Sequence, residues 1–95
     1  MKIERVKFIP DEMEPETLYI SLEFESSSHL CACGCGDKIT LPFTINQAKY
    51  NQNANDPTYR EWFYDDSSVT FDPSILNPCK AHYYIKKGMI TDFSK

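Results

Sequence analysis

The chain has 95 residues, a formal net charge of -4, 41 % apolar and 14 % aromatic residues. A chain of this length makes one domain, residues 1–95, and buries only about 60–65 % of its unfolded surface, so a metal crosslink would add needed stability. The acidic balance without a Lys/Arg cluster argues against nucleic acid. No apolar run approaches the roughly 20 residues of a membrane span, and Met1-Lys2-Ile3-Glu4 leads into charges rather than an apolar leader. The expected location is the cytoplasm, where thiols stay reduced.

In chain order, Val6-Lys7-Phe8-Ile9 reads as a short edge strand ending at Pro10, followed by an acidic loop from Asp11 to Glu16. Leu18 to Phe24 alternates, with Leu18, Ile20, Leu22 and Phe24 on one face, and predicts a central half-buried strand. Ser26-Ser27-Ser28 breaks or bends it. Lys38 to Phe43 alternates again, so the cysteine-rich stretch Cys31 to Gly36 falls at the tip of a hairpin. Asn46 to Thr58 is a polar excursion with room for one helical turn at Asn46 to Tyr50. Tyr59 to Tyr64 and Val69 to Phe71 predict two strands joined by the turn formers Asp65 to Ser68. His82 to Thr91 predicts a closing hairpin that turns at Lys87-Gly88. The expected fold is mainly β, a small antiparallel sandwich or barrel.

Three of the four cysteines lie at Cys31, Cys33 and Cys35, and the fourth stands in Pro78-Cys79-Lys80-Ala81-His82. Cysteines at i, i+2 and i+4 are poorly placed to pair with one another as disulfides. A C-x-C run and a later C-x-x-H are instead two halves of one soft-metal site, since zinc takes four Cys or His ligands, usually as two close pairs. Gly34 lets the backbone fold between Cys33 and Cys35. The expected ligands are therefore Cys33, Cys35, Cys79 and His82, with Cys31 as a fifth candidate that could displace one of them. Lys38 and Lys80 beside the two pairs are either neutralising partners of the thiolates or simply solvated. His29 reads as surface or an outer neighbour of the site.

The expected cofactor is one structural zinc ion holding the two hairpins together, and the expected role is a non-catalytic protein-interaction or accessory module. Two alternatives stay open. A Rieske-like [2Fe–2S] electron-transfer centre also uses paired Cys and Cys/His turns at two hairpin tips. A zinc hydrolase would use three protein ligands and a bound water. A zinc deaminase is excluded, because no glutamate follows His29, Cys31 or Cys33 at the required spacing. A serine nucleophile with His29 has no nucleophile-elbow motif to support it.

His29-Leu30-Cys31-Ala32-Cys33-Gly34-Cys35-Gly36, Trp62, Val69 to Ile75, and Pro78-Cys79-Lys80-Ala81-His82-Tyr83-Tyr84-Ile85 with Gly88 occur in an order that resembles the bacterial domain-of-unknown-function family 6527. The likeness spans residues 18 to 91. It implies a predicted metal-binding protein, with Cys31, Cys33, Cys35, Cys79 and His82 as the metal residues. It also implies protein partners among the components of a prokaryotic ubiquitin-like conjugation system. The Asn46-to-Thr58 excursion is longer than the family's usual link to Trp62.

Overall fold

A computed structural model describes residues 1–95. The strands are β1 (Lys2–Arg5), β2 (Thr17–Ser21), β3 (Ser26–Leu30), β4 (Lys38–Thr44), β5 (Trp62–Asp65), β6 (Thr70–Asp72), β7 (Ile75–Leu76), β8 (His82–Lys86) and β9 (Met89–Ser94), with one helix, α1 (Gln47–Asn53). The first six strands form one sheet in chain order, and β7-β8-β9 form a second. The mainly β expectation is met. Two neighbours, β1 with β2 and β4 with β5, are parallel, so the larger sheet is mixed rather than wholly antiparallel.

The larger sheet is curled. The end of β1 reaches the turn after β5, where Arg5 forms a 3.1 Å ion pair with Asp66, and Asp66 also accepts from the Tyr64 hydroxyl at 2.7 Å. The concave side is filled by the alternating residues Ile39, Leu41 and Phe43 of β4, while Thr40 and Pro42 face out. Phe43, Tyr64 and Phe71 form an aromatic triple with ring centroids 4.5–5.9 Å apart. The smaller sheet contributes Ile75, Tyr83 and Ile85 to the same core. β6 packs against β8.

Several predicted elements shift for identifiable reasons. The first strand forms at Lys2–Arg5 rather than Val6 to Ile9, in parallel with β2. All five residues of β2 are buried: Leu18 and Ile20 enter the core, and on the other face the β1–β2 connection covers Thr17, Tyr19 and Ser21, with Glu14 N–H donating to the Tyr19 hydroxyl at 2.9 Å and Ser21 donating to the Lys7 carbonyl at 2.7 Å. β2 ends at Ser21, and Leu22 to Glu25 turn, which leaves Leu22 and Phe24 exposed instead of facing the core. The triple serine forms the middle of the sheet: Ser27 donates to the Leu41 carbonyl at 3.3 Å, and Ser28 pairs with Thr40 at 3.2 Å. The helical turn extends to Asn53, and Asn46 caps it by accepting from the Lys49 N–H. The Lys87-Gly88 turn forms as read, with φ of 53° and 70°, the left-handed pair that a tight hairpin needs. No helix is long and apolar enough to cross a membrane.

Candidate active site and metal centre

The tip between β3 and β4 runs from Cys31 to Asp37. The chain turns at once after β3: the Gly34 N–H donates to the Cys31 carbonyl at 3.1 Å, and Gly34 takes φ 86°, a conformation in which a side chain would be strained. The Cys31 N–H donates to the Asp37 carbonyl at 2.9 Å and closes the loop. The fold thus begins at Cys31, two residues earlier than the fold between Cys33 and Cys35 expected from Gly34. Cys31 stands as the fifth candidate in sequence because Ala32, unlike Gly34, offers no backbone freedom. In the structure the tip takes its left-handed residues at Gly34 and Gly36, with φ of 86° and 84°, and Ala32 needs no such freedom.

The second contribution comes from the turn between β7 and β8. The Asn77 N–H donates to the Ala81 carbonyl at 2.9 Å, and the Lys80 N–H donates to the Asn77 carbonyl at 2.8 Å. This closed turn presents Cys79 to the β3–β4 tip. The Sγ atoms of Cys31, Cys33 and Cys79 lie 3.4–3.5 Å apart, and all four cysteine sulfurs lie within 4.8 Å of one another. No disulfide joins them.

A tetrahedral ion with metal–sulfur bonds of about 2.3 Å separates its ligand sulfurs by about 3.8 Å, so the four cysteines are positioned to hold a metal ion. Four sulfurs fill that geometry and leave no position for the bound water of a zinc hydrolase. They also lie too close together to serve two irons as two separated pairs.

Polar groups around the sulfurs suit bound thiolates. Buried Asn77 donates from Nδ2 to Cys31 Sγ at 3.1 Å and to the Tyr83 hydroxyl at 3.0 Å. The Tyr83 hydroxyl lies 2.6 Å from His29 Nε2. Since Asn77 donates to that oxygen, the hydroxyl proton is free to point at His29, whose imidazole burial keeps neutral, its pKa lowered to about 4. Burial is the chief influence raising the Cys31 thiol. Cys33 falls to about 6, first through its hydrogen bond with Cys35 and then through that with Cys31. For Cys35 the Asp37 N–H acts to lower the value, but the neighbouring thiol of Cys33, burial and the other sulfurs push it up to about 12. Lys95 is raised by its hydrogen bond to Cys33. Of the two lysines expected beside the thiolates, Lys38 donates to the Asp11 carbonyl instead.

His82 stands elsewhere. As the first residue of β8 it is paired in register with Leu76, and its side chain meets Ser74 and is not among the group that the sulfurs form. His82 Nε2 lies 2.8 Å from Ser74 Oγ. The structure thus gathers Cys31, Cys33, Cys35 and Cys79 as one group, and His82 with Ser74 as another. With His29 on Tyr83 and His82 on Ser74, the two-histidine half of a Rieske centre is not assembled.

Sequence reading missed Ser74. The available signal was the spacing in Ser74-x7-His82 with turn formers between, which returns the chain on itself. The Pro73 and Pro78 that bracket β7 disguised the strand as mere punctuation.

The Ser74–His82 separation falls within the range expected of a nucleophile and its general base, about 2.6–3.2 Å. Both side chains are half-buried rather than enclosed. The pair shares the outer face of the smaller sheet with Tyr84, whose ring stands edge-on to His82 with centroids 6.0 Å apart.

A family model described as "Bacterial ubiquitination-like system serine protease (BubE)" matches residues 5–92. The match covers most of the chain, and the protein belongs to this family of a bacterial ubiquitination-like system, the system type that the motif resemblance implied. Comparisons with curated proteins and with solved structures gave no match.

Proposed function

We propose that the chain is a serine hydrolase that cleaves an amide bond in a protein partner of its ubiquitination-like system, with Ser74 as nucleophile and His82 as general base. The observation that carries this reading is the 2.8 Å contact between Ser74 Oγ and His82 Nε2, in a chain whose family is described as a serine protease. It differs from the non-catalytic role expected from sequence, which rested on the cysteines and gave Ser74 no part.

In the reaction, Ser74 Oγ attacks the substrate carbonyl carbon and its proton passes to His82 Nε2. The tetrahedral centre collapses, the C–N bond breaks, and His82 returns the proton to the leaving amine. Water then attacks the acyl ester with His82 again as base, which releases the acid and restores Ser74. For His82 to accept at Nε2, its proton must sit on Nδ1.

The metal has a supporting role. We assign it as one zinc ion on Cys31, Cys33, Cys35 and Cys79, because four thiolates in a closed set are a structural zinc site. Cys79 lies in the turn that makes β7 and β8 antiparallel, so the ion anchors the same turn that carries Ser74 to His82.

The test is cleavage of a fusion in which the system's ubiquitin-like protein is joined to a reporter through its C-terminus. The wild-type chain is expected to release the reporter, while Ser74→Ala releases none and keeps the wild-type circular dichroism spectrum. Full cleavage by Ser74→Ala would overturn the assignment.

A further inference from the structure

Leu76 is apolar but takes no part in the core. It is 71 % exposed, whereas its neighbour Ile75, on the opposite face of β7, is 1 % exposed and belongs to the core. Scattered exposed leucines are ordinary, but this one has a defined position. It is the direct cross-strand partner of His82, so the two side chains stand on one face about 4.5–5.5 Å apart at Cβ. Ser74 shares that face, since its Oγ meets His82 and it precedes Leu76 by two residues. Tyr84, half-buried, borders the patch from β8, with Lys86 Nζ 4.5 Å above its ring. β7 has a neighbouring strand on one side only.

We propose that Leu76 is a specificity-determining residue, selecting an extended polypeptide that carries an apolar side chain two residues from the one whose carbonyl Ser74 attacks. This rests on the serine-hydrolase reading above. Two residues of extended chain advance about 6.6–6.8 Å, in Leu76 from Ser74 and equally in a substrate lying along β7. Side chains at that spacing share a face, so the substrate residue that comes over Leu76 is the second from the attacked one. Covering Leu76 removes an exposed apolar surface from water, which favours an aliphatic or aromatic residue and disfavours a carboxylate that would lose its hydration.

The experiment uses the full chain and a set of internally quenched fluorogenic peptides in which Leu, Phe, Ser or Asp occupies each of the three positions before the cleaved bond and the two after it. The readout is the ratio of kcat/KM for Leu over Asp at each position, with Ser74 labelling by a fluorophosphonate measured in parallel. The wild-type chain is expected to favour Leu by about 10–100-fold at a position two residues from the attacked one. Leu76→Ser should bring that ratio to about one, and Leu76→Met should retain it. Circular dichroism checks that both variants fold.

Labelling of Ser74 and cleavage of peptides with a flat ratio at every position would overturn the role of Leu76 and leave the hydrolase reading standing. So would a ratio that survives Leu76→Ser. Failure of both labelling and peptide cleavage in the wild-type chain would overturn the hydrolase reading, and the role of Leu76 with it.

Discussion

Cys79→Ser is the perturbation that bears on both sites at once. Cys79 is the only sulfur contributed by the β7–β8 turn, and its Sγ lies 3.5 Å from those of both Cys31 and Cys33. The apparent binding energy of a structural zinc, roughly 10–16 kcal/mol, is largely folding energy in a small domain. Shared among four ligands, it amounts to about 2.5–4 kcal/mol for one, or a metal affinity weakened about 10²–10³-fold. That loss is comparable with much of the stability of a small domain, about 5–15 kcal/mol.

The turn would still have its two backbone hydrogen bonds, but not its tether to the β3–β4 tip. Ser74 and His82 would then meet less often. Competition with a chromophoric chelator measures the affinity, urea unfolding the stability, and the rate of fluorophosphonate labelling the Ser74–His82 contact. All three are expected to fall together in Cys79→Ser and in the chelated wild-type chain. A metal-free chain that unfolds at the wild-type urea concentration and labels at the wild-type rate would refute the coupling of metal, turn and dyad.

Three other substitutions have separate expectations. His82→Gln removes the base but keeps a polar side chain at a half-buried position, so hydrolysis should drop about 10²–10⁴-fold with the unfolding midpoint nearly unchanged. A large stability loss would instead mark His82 as structural. Asn77→Ala strips donors from Cys31 Sγ and the Tyr83 hydroxyl inside the protein and should cost about 1–3 kcal/mol in urea unfolding, with faster metal release to a chelator. Metal release at the wild-type rate would remove Asn77 from the centre. Phe43→Ala opens the aromatic triple at a fully buried position and should cost about 3–5 kcal/mol by the same measurement, whereas less than about 1 kcal/mol would contradict the placement of the core there.

The parts legible from sequence were those that depend on local pattern. Ile39, Leu41 and Phe43 alternate because one face of β4 is buried, and Lys87-Gly88 marks the hairpin turn through its backbone preference. The cysteine tip was visible for the same reason, since two strands had to flank it. What could not be read depended on distant neighbours. β2 is buried throughout because the connection from β1 folds over its second face, where Glu14 and Lys7 bind Tyr19 and Ser21, which no alternation within Thr17–Ser21 encodes. Leu22 and Phe24 continue the alternation into a turn, where there is no sheet to bury them.

His82 shows the limit most clearly. Its spacing from Cys79 fits a C-x-x-H ligand pair, but Ala81 is wholly buried and β8 begins at His82. The pleat therefore sends His82 to the outer face. Only the pairing of Leu76 with His82 reveals that Ser74 is waiting there.

Intact-mass analysis of the wild-type chain after treatment with a fluorophosphonate, followed by peptide mapping, tests the central claim most directly. One adduct per chain is predicted, on Ser74 and absent from His82→Gln under the same conditions. An unmodified chain, or an adduct on another residue while Ser74 stays free, would contradict it.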